Sequence, residues 1–319
     1  SVGTDTLRNI ESIRGTHFAD TFDATCFSGF STNAGNAGSL NEFEGAGGDD
    51  IVIGNGNTRL NFQLATASVT ADIAAGTANG DVSVGNDTFS GVNTLFGSSF
   101  GDEFYGSENL PNTQEVFLGL GGDDYIDGRG GFDVAAYYSP IFTTSAITVD
   151  LAAGIVTGDA SVGTDTLRSV EGIQGTQFAD SFDATGFSDK TANAGSFPFF
   201  NQFEGMHGDD VVVGNGFTRL SFASASGSVS VNLQTGVATG DGSVGTDTFS
   251  GMNSVRGSNF GDHIVGDSAS NTIIGQGGDD IFVYADGGGA DTFADFIAGA
   301  STQDRIDLTG VTGIFSFAD

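Results

Sequence analysis

The sequence is poor in several residues, and each shortage removes a class of answer. It has no tryptophan, three prolines and a single cysteine, Cys26, in 319 residues. One cysteine can form neither an internal disulfide nor a cysteine-based metal site. The three histidines, His17, His207 and His263, are scattered along the chain, which argues against a zinc site. Only 9 residues are Lys or Arg against 41 Asp or Glu, a formal net charge of −32. So acidic a chain is not expected to bind nucleic acid or an anionic membrane. No run of about 20 apolar residues is present to span a bilayer, and no N-terminal signal peptide is visible.

A free chain with this acid excess repels itself and resists compaction. Yet 29 phenylalanines and a hydrophobic fraction of 38% are too many for a permanently disordered acidic tail. Cations that neutralise the acids on folding would reconcile the two. Glycine is the other excess: 52 residues, placed at fixed steps rather than in linkers.

One stretch occurs four times. Gly45-Ala46-Gly47-Gly48-Asp49-Asp50-Ile51-Val52-Ile53 returns from Gly119 to Asp127, from Gly205 to Val213 and from Gly275 to Val283. Each copy is a glycine-rich turn, a carboxylate and a short apolar strand. Glycine permits positive φ and close packing, so the turn carbonyls can converge. The aspartate adds charged oxygens at the same point. Clustered carbonyl and carboxylate oxygens suit a hard cation such as Ca²⁺. Asp also favours turns by itself, but four near-identical turns make that explanation insufficient.

These turns resemble the nonapeptide G-G-x-G-x-D-x-U-x of the RTX (repeats-in-toxin, haemolysin-type) calcium-binding family. Gly45, Gly48, Asp50 and Val52 fill the first, fourth, sixth and eighth places. Ala46, Leu120, Met206 and Gln276 stand at the second. The resemblance implies an all-β, right-handed parallel β-roll or β-solenoid with several Ca²⁺ ions between its turns. The implied metal-site residues are Gly45, Gly48 and Asp50; Gly119, Gly122, Asp124 and Asp133; Gly205, Gly208 and Asp210; and Gly275, Gly278 and Asp280. Asp20, Asp102, Asp180 and Asp262 follow a looser Gly-x-x-Phe-Ala/Gly turn and join the same set. The fifth-place acids Asp49, Asp123, Asp209 and Asp279 are expected to point outward. Asp5, Asn86, Asp87, Asp165 and Asp247 are either ligands of a different corner or turn caps.

Spacing supplies the stacking. Gly257, Gly266 and Gly275 lie nine apart, so two nonapeptides make an 18-residue coil. Asp262 and Asp280 then share a corner of successive coils, about 4.8 Å apart. Asp20 to Asp50 and Asp180 to Asp210 both span 30 residues, and Asp102 to Asp124 spans 22. The extra residues lie within 24–44, within 184–204 and near 109–114, as loops that leave a solenoid's stack intact. Phe18, Phe100, Phe178 and Phe260, with Phe22, Phe104 and Phe182, are expected to fill the interior. Arg59 and Arg219 are expected to pair with surplus acids.

A longer repeat overlies this one. Ser1-Val2-Gly3-Thr4-Asp5-Thr6-Leu7 returns at Ser83, Ser161 and Ser243, and alternate copies match best, giving a 160-residue duplication. Strand pairs precede the last three copies, at 69–73, 147–151 and 229–233. We therefore expect a first repeat block at 1–160, a homologous second block at 161–281 and an end segment at 282–319. The chain reads as a piece of a longer protein, because the first unit lacks its leading strand pair.

No nucleophile–base–orienter set is evident, and repetition argues against a singular catalytic site, so no enzyme activity is expected. The resemblance implies secretion or cell-surface display, by type I export from a Gram-negative bacterium. A structural or adhesive role is expected: a surface layer, filament or adhesin component. Its partners would be calcium, cell-surface components and further copies joined end to end. The alternative is a non-catalytic folding and secretion module of a larger secreted hydrolase or toxin.

Overall fold

The computed structural model describes residues 7–31, 38–108, 114–197, 199–297 and 304–312. Asp5, residues 109–113 of the third insertion, and the terminal stretch beyond 312 lie outside them. The described residues form 28 strands and no helix. The chain is all-β, with strands paired mostly in parallel as in a β-solenoid. No described helix could cross a membrane. Two compact units are present: Ser1–Tyr137 with Val156–Val170, and Tyr138–Ile155 with Glu171–Asp319.

Two columns of strands run through the first unit. In one, Thr21–Asp23, Ile51–Ile53 and Asn86–Ser90 stack so that Phe22, Val52 and Phe89 fall in register. Farther along, Glu103–Tyr105, Tyr125–Asp127 and Thr164–Arg168 stack Phe104, Ile126 and Leu167. The other column registers Ile13, Phe43, Leu60, Leu95, Phe117 and Ala135. The second unit repeats the pattern. Val149, Phe182, Val212 and Phe249 form one column, continued by Val231, Ile264, Phe282 and Ile306. Ile173, Phe203, Leu220, Val255, Ile273 and Phe293 form the other. Leu95, Phe104, Phe117, Ile126, Leu167, Phe182, Phe203 and Phe282 are essentially inaccessible. Burying each such side chain stabilises the fold by about 1.5–3 kcal/mol.

The stack is interrupted by reversals that the sequence pattern does not announce. Thr77–Asn79 runs antiparallel to both Thr70–Asp72 and Asn86–Ser90. Thr70–Asp72 then resumes parallel pairing with Glu103–Tyr105. The reversal is built locally: Asp72 Oδ1 accepts the Ala75 N–H at 2.9 Å, and Gly76 takes φ +67°. Asn232 and Gly236 build the same turn in the second unit.

The two long insertions are clamped alike. Asn55 Nδ2 donates to the Phe27 and Ser39 carbonyls, both at 2.9 Å. Asn215 Nδ2 donates to those of Phe187 and Phe199 at 3.1 and 2.8 Å. Losing two such bonds costs about 2 kcal/mol of local stability. Asn215→Ala should therefore speed limited proteolysis between Phe187 and Phe199 about tenfold or more while barely moving Tm. An unchanged cleavage rate would mean that the clamp does not hold the loop.

One expectation about the core is overturned. Phe18, Phe100, Phe178 and Phe260 are exposed, whereas Phe104 and Phe182 are buried and Phe22 half-buried. In each exposed case a Thr or Ser hydroxyl two residues earlier accepts the Phe N–H. The Phe backbone, not its ring, faces the next coil: a β-carbon on Gly48 would lie 2.5 Å from the Phe18 carbonyl carbon. The ring is left to solvent.

Candidate functional site

The sixth-place aspartate lies two residues before an inward apolar residue. Alternation along a strand turns positions i and i+2 the same way, so Asp50 goes in with Val52. The result is a ladder of buried aspartates. Asp50 Oδ1 accepts the Asp20 N–H at 2.8 Å, and Asp87 Oδ1 accepts the Asp50 N–H at 2.9 Å. Asp124 and Asp165 do the same for Asp102 and Asp124, at 2.7 and 3.0 Å. Asp210 and Asp247 repeat it for Asp180 and Asp210, again at 2.7 and 3.0 Å. In the fourth ladder Asp280 serves Asp262 at 2.8 Å and Asp304 serves Asp280 at 3.1 Å.

Two turn types give these carboxylates different fates. In the looser turns the second place is Thr16, Ser98, Thr176 or Ser258, and its N–H donates to the aspartate Oδ2 at 2.6 Å. The Ser98, Thr176 and Ser258 hydroxyls add a bond to Oδ1. Asp102, Asp180 and Asp262 are thus well supplied with donors. In the full glycine turns the second place is left-handed: Ala46, Leu120, Met206 and Gln276 have φ of 65°, 70°, 68° and 71°. There Asp50, Asp124 and Asp210 keep Oδ2 buried with no hydrogen-bond partner.

The first-place glycine is explained by the same oxygen. A β-carbon on Gly45, Gly119, Gly205 or Gly275 would collide with Oδ2 of Asp50, Asp124, Asp210 or Asp280. The fourth-place glycines Gly48, Gly122, Gly208 and Gly278 hold φ of 118°, 117°, 112° and 114° and abut the preceding coil's backbone. A second convergence lies between coils. The site a β-carbon would take on Gly97 is 2.5 Å from both Asp102 Oδ2 and the Gly119 carbonyl oxygen. On Gly15 it is 2.7 Å from Asp20 Oδ2 and from the Gly45 carbonyl oxygen. Asp180 with Gly205, and Asp262 with Gly275, repeat the arrangement.

Asp133 belongs to the other column: its Oδ1 accepts the Glu115 N–H at 3.3 Å, away from the Asp124 ladder. The fifth-place acids Asp49, Asp123, Asp209 and Asp279 are exposed, as expected, and three of them also accept backbone N–H groups of the following coil. Asp49, Asp123 and Asp209 accept the N–H groups of Asn86, Thr164 and Thr246 at 3.0, 2.8 and 2.8 Å. Asp87, Asp165 and Asp247 are the third rungs of the ladders, a role not assigned to them from sequence. The signal was present, since each stands two residues before an inward Phe89, Leu167 or Phe249, but without a glycine turn ahead of it.

Burial dominates the electrostatics. It raises Asp210 to about 9, with the charges of Asp247, Asp180 and Asp209 adding to the shift. Burial lifts Asp124 well above the usual carboxylate range, with Asp165 adding to it. Asp87 and Asp247 are pushed to about 7, and Asp102, Asp180 and Asp280 to about 6, again chiefly by burial. Without a counter-charge, the interior favours protonated acids.

Among the described residues, no three His, Cys, Asp or Glu side chains gather into a group that could hold a metal ion. A cation at these turns would rely on backbone carbonyls for most of its ligands. The open carboxylate oxygens, the bare glycine faces and the oxygen-only donor set fit a hard cation on that basis. Comparison with models of protein families finds no match, and neither does comparison with curated proteins.

Proposed function

We propose that this chain is a calcium-binding repeat protein that folds on Ca²⁺ outside the cell and acts as a structural or adhesive element of a surface layer, filament or adhesin. The observation that carries the reading is the buried, donor-free Oδ2 of Asp50, Asp124 and Asp210. The RTX-like nonapeptides and the net charge of −32 support it. Those three aspartates, Asp280, and the carbonyls of the glycine turns would hold the ion. Asp20, Asp102, Asp180 and Asp262 would contribute the oxygens that converge between coils. Bound calcium supplies positive charge to acids that water no longer reaches.

Binding is then linked to folding, because a ligand stabilises the only state that holds it. A calcium-poor cytosol leaves the acids unneutralised and the chain open for export. Extracellular calcium, at roughly 10⁻⁴–10⁻³ M for sites of this kind, closes it. The repeated sites favour a structural element over a catalyst, whose site is singular.

Asp210→Asn tests the reading on both sides. It keeps an Oδ1-like acceptor for the Asp180 N–H and removes the buried charge. It should weaken calcium binding in a calorimetric titration by about tenfold or more, the size of one charge-assisted contact. The metal-free variant should also retain more β-sheet circular dichroism at pH 8 than the metal-free parent. Calcium affinity equal to that of the parent would count against Asp210 as a ligand.

A further inference from the structure

The 160-residue duplication provides an internal control, because the same scaffold appears twice with different surfaces. In the first copy Ser39 and Asn57 meet beside the Asn55 clamp, with Asn57 Nδ2 donating to Ser39 Oγ at 3.0 Å. In the second copy those positions are Phe199 and Phe217. Their rings lie 5.7 Å apart at 42° and are 44% and 52% exposed. The clamp persists around Asn215, so the fold does not require the aromatic pair. The second copy thus exposes two adjoining rings where the first carries small polar residues.

The neighbouring charges change in the same direction. Arg59 forms a salt bridge to Glu42 at 3.1 Å and lies over Phe96. Glu42 is replaced by Gln202, whose Oε1 accepts from Nε of the counterpart Arg219 at 2.7 Å, and the Arg219 guanidinium lies 4.8 Å from the centre of the Phe200 ring. Phe96 is replaced by Arg256. One acid is lost and one arginine gained on a chain that is otherwise strongly acidic. Burial and the nearby Arg256 pull the Arg219 pKa down to about 10, so this face favours an added negative charge.

We propose that this aromatic–arginine face of the second unit binds a carboxylate-bearing polysaccharide, a polymer of uronic-acid rings. Phe199 and Phe217 offer flat apolar surfaces to the sugar rings. Arg219 and Arg256 offer planar forks to the carboxylates. A peptide adding as an extra strand is disfavoured here. Asn201–Glu204 is paired on both sides, with Gly172–Gln174 and with the Thr218–Leu220 stretch, which itself pairs onward with Thr246–Arg256. Recognition on this face must run through side chains.

The test uses the full chain and three probes: tetragalacturonate, neutral cellotetraose and hexaaspartate. Each sample is first checked for β-sheet circular dichroism, so the outcome does not depend on what maintains the fold. NMR titration should show saturable binding of tetragalacturonate only. The double variant Phe199→Ser/Phe217→Asn installs the residues that the first copy carries on the same scaffold, and should lower that affinity by about tenfold or more. Gln202→Glu, again the first copy's residue, should do likewise by restoring the acid beside Arg219. Equal binding of cellotetraose, preference for hexaaspartate, absence of binding or unchanged affinity in the variants overturns the assignment.

Discussion

At pH 8 in excess chelator the chain should lose its β-sheet circular dichroism, and the same metal-free sample should recover part of it at pH 4. Both halves follow from the aspartate ladders. Burial raises the folded-state pKa of Asp210 to about 9, of Asp87 and Asp247 to about 7, and of Asp102, Asp180 and Asp280 to about 6. The ordinary value is 3.8. A raised folded pKa means that the folded state holds its protons more tightly than the unfolded chain. The stability these groups contribute is therefore complete below about pH 3.8, and is lost as pH rises through 6 to 9. Acids of the opposite kind exist, such as Asp72, whose pKa is lowered by the Arg129 guanidinium at 2.6 Å. They are largely exposed and should be outweighed. Calcium replaces the protons at neutral pH, so its effect should be large at pH 8 and small at pH 4. An unchanged spectrum in chelator at pH 8 would sink calcium-linked folding. A metal-free chain less folded at pH 4 than at pH 8 would sink the burial argument.

Gly205→Ala should be among the most destabilising single changes in the molecule, at about 2–4 kcal/mol. Its β-carbon would fall 2.8 Å from Asp210 Cγ and collide with Oδ2. The carboxylate cannot swing aside freely, because its Oδ1 accepts the Asp180 N–H at 2.7 Å. Overpacking costs about 1–3 kcal/mol, and a lost bond to a charged group adds about 1.5 kcal/mol or more. Gly242→Ala is the control. No atom lies within 4 Å of its prospective β-carbon, so the change should stay within about 0.5 kcal/mol. Urea unfolding in saturating calcium measures both. Similar midpoints for the two variants would show that the turn tolerates a side chain against Asp210.

The nine-residue pattern was readable because it couples two requirements at fixed spacing: glycine where Oδ2 passes, and an apolar residue two places after the aspartate. That is why the register of Asp20, Asp50, Asp102, Asp124, Asp262 and Asp280 could be counted across loops of different length. Asp87, Asp165 and Asp247 escaped because their rung needs no glycine turn of its own; the preceding coil supplies the partner. The strand reversals at 70–79 and 230–239 escaped for another reason. A parallel and an antiparallel strand have the same alternation, and only the Asp72–Gly76 and Asn232–Gly236 turns tell them apart. The exposed Phe18, Phe100, Phe178 and Phe260 show the limit of composition. Their surroundings are decided by which backbone groups the turn directs toward the next coil.

The sixth-place ladder also has a direction. In every such pair the acceptor comes from the coil later in the chain: Asp50 serves Asp20, Asp87 serves Asp50, Asp280 serves Asp262 and Asp304 serves Asp280. A coil's amide is thus completed only by its successor. Removing a coil from the leading side would release a carboxylate, which water solvates easily. Removing one from the trailing side would release an N–H, which water must then satisfy. The stack therefore has two chemically different faces, one that offers carboxylates and one that offers backbone N–H groups.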